Sequence, residues 1–272
     1  MSSVTASAPG GGSAPIELID AATASIADPD RCAIAGVNWR ISAGDFWVIG
    51  ASSDAGKTGL LATAAGLLRP VAGRRIFWGR ELEQLDEVAV VELRRSIGFV
   101  FEDGGRLFNG LTVQQNIALP LCYHRDCSTE EAAAAVQPLL ELIGLTPFAS
   151  RTPGRINRSW RQRVALARAL ALRPAVLLLD NPLAGLDQRQ AAWWLEFLAA
   201  LAAGHDWLGG RPLTLAVTCE DLRPWLACGT RFALIQESRW RALGGKTDVV
   251  NSNEPLVLEL LTHAGGVQAA AQ

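Results

Sequence analysis

Residues 47–61 read Trp-Val-Ile-Gly-Ala-Ser-Ser-Asp-Ala-Gly-Lys-Thr-Gly-Leu-Leu. The apolar run Phe46–Ile49 is expected to form a buried strand, and a loop of small residues follows it. Gly56-Lys57-Thr58 then opens an apolar helix expected to continue through Leu60, Leu61 and Leu67. Strand, tight turn and helix N-terminus together make the layout of a phosphate-binding loop. Backbone N–H groups and the positive end of the helix hold phosphate oxygens there. The candidate binding set is Ser52, Ser53, Asp54, Ala55, Gly56, Lys57, Thr58 and Gly59. Lys57 is placed to reach the outer phosphates, and Thr58 to ligate Mg²⁺.

The loop departs from its pattern at two positions. Ala51 stands where the motif has glycine, and Asp54 where a further glycine is common. A carboxylate facing a triphosphate at ~4–6 Å, with an effective dielectric of ~20, costs roughly 3–4 kcal/mol per like-charge pair before Mg²⁺ relieves it. The alternative is an ordinary strand–turn–helix carrying a chance Gly-Lys-Thr. Composition weighs against it: the chain has only two lysines, Lys57 and Lys246, among its 25 basic residues.

The chain of 272 residues suits one domain with two lobes, and its formal charge of −2 makes no bulk electrostatic case for nucleic acid. Five scattered cysteines (32, 122, 127, 219 and 228) lack metal-ligand spacing and read as reduced thiols of a cytosolic protein. Residues 1–15 are rich in Ser, Gly, Ala and Pro, without a basic or an apolar leader region, and are expected to be a disordered tail; 263–272 is expected to be a flexible one. No apolar run is long enough to cross a bilayer, so any crossing falls to another chain.

Between the tails, strands and helices alternate. Strands are expected at Ile16–Ile19, Val37–Ile41, Arg74–Trp78, Gly98–Phe101, Ala175–Leu179, Thr214–Thr218 and Phe232–Gln236. Helices are expected at Leu93–Ile97, from Leu111 with an interruption at Pro120, from the capping box Ser128-Thr-Glu-Glu131 to Ile143, at Arg161–Leu172 and at Gln188–Leu201. Such alternation implies an α/β sheet. The apolar run ending in Asp180 fits a parallel strand presenting a carboxylate to a Mg²⁺ shell; the alternative is an aspartate capping the next turn.

Arg161-Gln-Arg-Val-Ala-Leu-Ala-Arg-Ala-Leu-Ala-Leu-Arg-Pro-Ala-Val-Leu-Leu-Leu-Asp180, followed by Pro182-Leu-Ala-Gly-Leu-Asp187, resembles the segment from signature helix to D-loop of ABC-transporter ATPases. Ile97–Phe101 is similar to their Q-loop strand, and Leu111–Leu121 to the start of their helical subdomain. Asn253–Leu261 is similar to the tail of Mla-type (Mce-associated) lipid-transport ATPases. The resemblance spans residues 16–262 and implies a P-loop NTPase fold. That fold has a RecA-like core, an antiparallel β lobe and a helical subdomain at about 106–160. It also implies ATP and Mg²⁺ as ligands, with Thr58, Glu102 and Asp180 around the metal. Implied partners are transmembrane permease subunits, a second ABC ATPase chain in a homo- or heterodimer, and an Mce-domain lipid-binding protein. Nucleic acid is not implied. The location implied is peripheral, on the cytoplasmic face of the cell membrane.

The resemblance fails at the catalytic positions. Glu102 replaces the Q-loop glutamine, Asn181 the general-base glutamate, and Cys219 the switch histidine. The signature Leu-Ser-Gly-Gly-Gln aligns with Ile156, Asn157, Arg158, Ser159 and Trp160, and no aromatic near Ala24-Ser25 is available to stack on adenine. Asn181 hydrogen-bonds water without accepting its proton. Arg158 and Trp160 are expected to crowd an approaching phosphate. In the family's head-to-tail dimers one chain's signature, with Asp187 nearby, meets the other chain's phosphate loop. This chain is altered on both surfaces, so even an intact partner yields no complete site. Nucleotide binding with weak or absent hydrolysis is therefore expected, in a structural or regulatory subunit of an ABC transporter for lipid. The other readings are an active lipid-transport ATPase and a soluble ABC protein of DNA repair or translation.

Overall fold

The computed structural model describes residues 13–28, 31–102, 106–125 and 127–262. Residues 1–12 and 263–272 of the two expected tails lie outside the described residues. In chain order the elements begin β1 (Ile16–Ala24), β2 (Cys32–Ile41), β3 (Phe46–Ala51), α1 (Lys57–Ala64), β4 (Ala72–Phe77), β5 (Arg80–Glu81), α2 (Glu87–Arg95) and β6 (Ile97–Val100). They continue α3 (Val113–Arg125), α4 (Thr129–Leu142), α5 (Arg158–Leu170), β7 (Val176–Leu179), α6 (Gln188–Ala203), β8 (Thr214–Cys219), β9 (Arg231–Gln236), β10 (Arg239–Gly244), α7 (Lys246–Val250) and α8 (Pro255–Thr262).

The strands form one curled sheet in the order β5-β4-β1-β2-β10-β9-β3-β8-β7-β6. β9, β3, β8, β7 and β6 run parallel, whereas β1, β2, β4 and β5 pair antiparallel. This is a mixed α/β sheet, parallel in one half and antiparallel in the other, as the resemblance implies. The parallel strands are apolar on both faces because both faces are covered. Val48, Leu177 and Leu179 enter one core with the helices α3–α6; Trp47, Ile49, Val176 and Leu178 enter the other with α1 and the antiparallel strands. Residues 106–160 hold α3, α4, the 3-10 turns Thr146–Phe148 and Pro153–Arg155, and the first residues of α5.

Several local expectations are corrected. α1 stops at Ala64 and does not reach Leu67: Gly66 takes a left-handed φ of +76°, Leu67 N–H turns back to Ala62 O at 2.8 Å, and the Leu67 side chain is exposed. This is a glycine C-terminal stop that the apolar run conceals. The helix expected at Leu93–Ile97 is α2. It begins six residues earlier, where the Asp86 carboxylate accepts from Ala89 N–H at 2.8 Å, and Ile97 already belongs to β6. α3 runs through Pro120 to Arg125 without ending. The capping box at Ser128 is present as expected, and Gly144 follows that helix at φ +73°. β10 is not among the strands expected from the sequence; its arginines Arg239 and Arg241 are exposed, while Trp240 packs on Trp39 and Trp47 at 5.1 and 6.2 Å between ring centroids.

Candidate functional site

The site forms where the parallel strands end. β3 leads into residues 52–56, β6 into Glu102, β7 into Asp180 and Asn181, and β8 into Glu220. The register Gly50↔Cys219, Leu179↔Val217 and Val100↔Leu179 brings these ends side by side. An open α/β sheet takes its ligands at this carboxyl edge. The resulting cavity, about 1150 Å³, is lined among others by Ser53–Gly59, Glu102, Asn181, Leu183–Leu186, Cys219 and Glu220.

Residues that the sequence separates meet here. Thr58 Oγ1 donates to Asp180 Oδ2 at 2.5 Å, and Thr218 Oγ1 to Asp180 Oδ1 at 2.8 Å. Asn181 N–H donates to Thr218 Oγ1 at 3.0 Å, and Asn181 Nδ2 to Glu102 Oε1 at 3.3 Å. Asp180 is 1% exposed and Lys57 6%. The Lys57 ammonium donates to Ser52 O at 2.8 Å and to Glu220 Oε1 at 2.7 Å. Burial, with Asp221 next, raises the Cys219 thiol far above its usual pKa, so it stays protonated at neutral pH.

The loop geometry explains its unusual residues. Ala51 ends β3, its backbone outside the left-handed region, so glycine is not required there. Asp54 takes φ +59°, a conformation Asp tolerates better than most residues, and is exposed. Gly56 has φ +90°, and a Cβ on it would stand 3.2 Å from Ala33 Cβ. At Gly59 a Cβ would meet Ala24 O at 2.3 Å, so α1 seats on β1 only through glycine.

The residues present fit a Mg²⁺-bound phosphate chain. Thr58 and Asp180 offer hard oxygen ligands side by side, and the loop aims a buried ammonium and the N-terminus of α1 into the same cavity. Along one side, Ser25, Ile26, Ala27, Arg31, Cys32 and Ala33 line the cavity, with no aromatic ring among them.

The signature-aligned residues lie elsewhere. Asn157 caps α5, accepting from Trp160 N–H at 3.1 Å and from Ser159 Oγ at 2.8 Å. Trp160 is half-buried. Its ring packs on Phe148 at 4.7 Å between centroids, and the Arg163 guanidinium covers it at 4.8 Å, because α5 has already begun and turns that face inward. Arg158 lies over the D-loop, 2.9 Å from where a Cβ on Gly185 would stand. Asp187 caps α6, accepting from Gln190 N–H at 2.8 Å. Sequence reasoning missed Glu220. Its only signal was its place directly after Cys219, at the end of a strand that also ends at the site.

A phosphate loop at the carboxyl edge of a parallel sheet, with a buried carboxylate on its threonine, defines a P-loop nucleotide-binding protein. Residues 34–184 match the family model described as ABC transporter, and the chain belongs to that family. It is 40% identical over 166 residues to the methionine import ATP-binding protein MetN of Cupriavidus metallidurans, covering 61% of this chain and 48% of that one. It is 34% identical over 230 residues to the spermidine/putrescine import ATP-binding protein PotA of Trichodesmium erythraeum, covering 84% and 57%. The chain thus spans about half the length of the curated relatives it matches. Its fold matches the ADP- and Pi-bound dimer of the ATP-binding cassette MJ0796 with a TM-score of 0.73 at 27% identity, over 84% of this chain and 98% of that one.

Proposed function

We propose that this chain is the nucleotide-binding subunit of an ABC transporter, binding Mg-ATP at residues 52–59 with weak or absent turnover. One observation carries the reading. Lys57 and Thr58 line one cavity, with the buried Asp180 carboxylate bonded to Thr58 directly behind it, and Asn181 and Cys219, which the resemblance aligns with the base and the switch histidine, line the same cavity. When bound, Mg²⁺ would offset the charge of the phosphate chain; Thr58 and Asp180 would hold it, and Glu102 lies at the same corner. Lys57 would meet the outer phosphates. Asn181 orients water without taking its proton, and the Cys219 thiol gives no imidazole donor. Binding would then serve assembly with a second ATPase chain and with permease subunits at the cytoplasmic face of the membrane. Among the described residues no helix is long and apolar enough to cross it.

The relatives' names speak of import of methionine and of polyamines. The lipid cargo and the Mce-domain partner rest on residues 253–261 alone. Most of that stretch lies in α8, where Leu260 O accepts Leu222 N–H at 3.1 Å and braces the fold. Import of a small solute is therefore the better-supported reading. The second reading, slow hydrolysis, draws on the Asn181–Glu102 bond, which leaves a carboxylate at the corner where the base was lost.

Equilibrium binding of Mg-ATP to the purified chain tests the proposal, with Lys57→Ala as control. Binding that the control loses, with phosphate release near background, is expected. Turnover at rates ordinary for ABC ATPases, abolished by Lys57→Ala, would sink the low-turnover reading; a folded chain that binds no Mg-ATP would sink the nucleotide-binding one.

A further inference from the structure

Lys57 is the buried cation of the phosphate loop, and it already has an anionic partner. Its ammonium lies 2.7 Å from Glu220 Oε1, and the two side chains are 7% and 46% exposed. Glu220 lines the cavity beside the loop. We propose that Glu220 sets the affinity of this site: its carboxylate holds Lys57 where an outer phosphate would sit, and a nucleotide binds by displacing it. The inference rests on the reading of residues 52–59 as a nucleotide site.

The backbone around Glu220 is fixed. Cys219 ends β8 in register with Gly50 and is 3% exposed. Leu222 is fully buried, close against Gly50, and its N–H donates to Leu260 O at 3.1 Å. Asp221 is held by Arg223, whose Nε and backbone N–H each donate to it at 2.9 Å. The carboxylate therefore leaves by rotating its own side chain into the open cavity, without a loop movement. Among the described residues that line the cavity, Asp54, Glu102, Glu220 and Asp221 outnumber Arg31 and Lys57. A phosphate chain entering here meets both a neutralised lysine and excess negative charge, and like charges at this range repel. Removing the Glu220 charge relieves both effects.

The test compares the full-length chain with Glu220→Gln and Glu220→Ser, using Mg-ATP and, separately, Mg-tripolyphosphate as probes. Unfolding temperatures check that each variant folds. Both variants are expected to bind both probes about five- to tenfold more tightly than the parent, the factor that corresponds to roughly 1–1.4 kcal/mol. Equal or weaker affinity in folded variants of a parent that binds overturns it and leaves the nucleotide reading standing. Tightening for Mg-ATP alone overturns it too, because displacement at Lys57 depends only on phosphate. No binding by parent or variants overturns the nucleotide reading and this inference with it.

Discussion

Asp54 and Asn181 hold left-handed backbone at φ +59° and +42°. Both are residue types that accept this conformation, so the replacements at these positions are compatible with the loop geometry while they change its charge and chemistry. The cysteines divide in the same way between space and chemistry. Cys32 is exposed at the rim of the cavity, whereas Cys219 is 3% exposed on its floor with its pKa pushed up by burial. Iodoacetamide at neutral pH is therefore expected to label Cys32 and spare Cys219 in the folded chain, and Mg-ATP to slow the labelling of Cys32. Peptide mass spectrometry checks this; rapid modification of Cys219 without unfolding would contradict the burial argument. At this scale the phosphate loop was legible, because Gly56-Lys57-Thr58 is contiguous. The Lys57–Glu220 pair was not, because its members lie 163 residues apart.

α5 shows how an element can be read correctly while its faces are misjudged. Its apolar spacing was plain, but it begins at Arg158, three residues before the expected start. That shift makes the signature-aligned residues a cap and first turn. Arg163 then lies between two indoles, 4.8 Å from Trp160 and 3.5 Å from Trp193, while Trp160 packs on Phe148 and Trp193 stacks on Phe197 at 5.0 Å. The ladder ties the residues before α5 to α6. Arg163→Ala is expected to lower unfolding stability by about 1–2 kcal/mol through lost cation–π contact, with Arg163→Lys recovering part of it. Urea denaturation measures both, and an unchanged midpoint for Arg163→Ala would show that the rings pack as well without the cation.

The whole molecule offers a second concavity, about 330 Å³, between α2, β6, α3 and α5. Arg94, Arg95, His124 and Arg168 line it together with Phe99 and Tyr123, and Tyr123 is 80% exposed. Burial, and then Arg95, lower the pKa of His124, so the imidazole is neutral at neutral pH. If this groove receives a permease segment, Tyr123→Ala should reduce co-purification with the permease several-fold and leave Mg-ATP binding by the isolated chain unchanged. Loss of nucleotide binding in that variant would instead point to a folding defect.

Sequence alone determined the α/β alternation, the phosphate loop, the strand ending in Asp180 and the family resemblance. All of these are written in short contiguous patterns of apolar period, glycine and charge. Only the tertiary structure decided that Thr58, Asp180 and Thr218 share one hydrogen-bonded corner and that Glu220 pairs with Lys57. Those pairings follow from the lateral order of the parallel strands, β9-β3-β8-β7-β6. Crossovers far longer than any local motif set that order, and burial of both sheet faces then holds the strands in register.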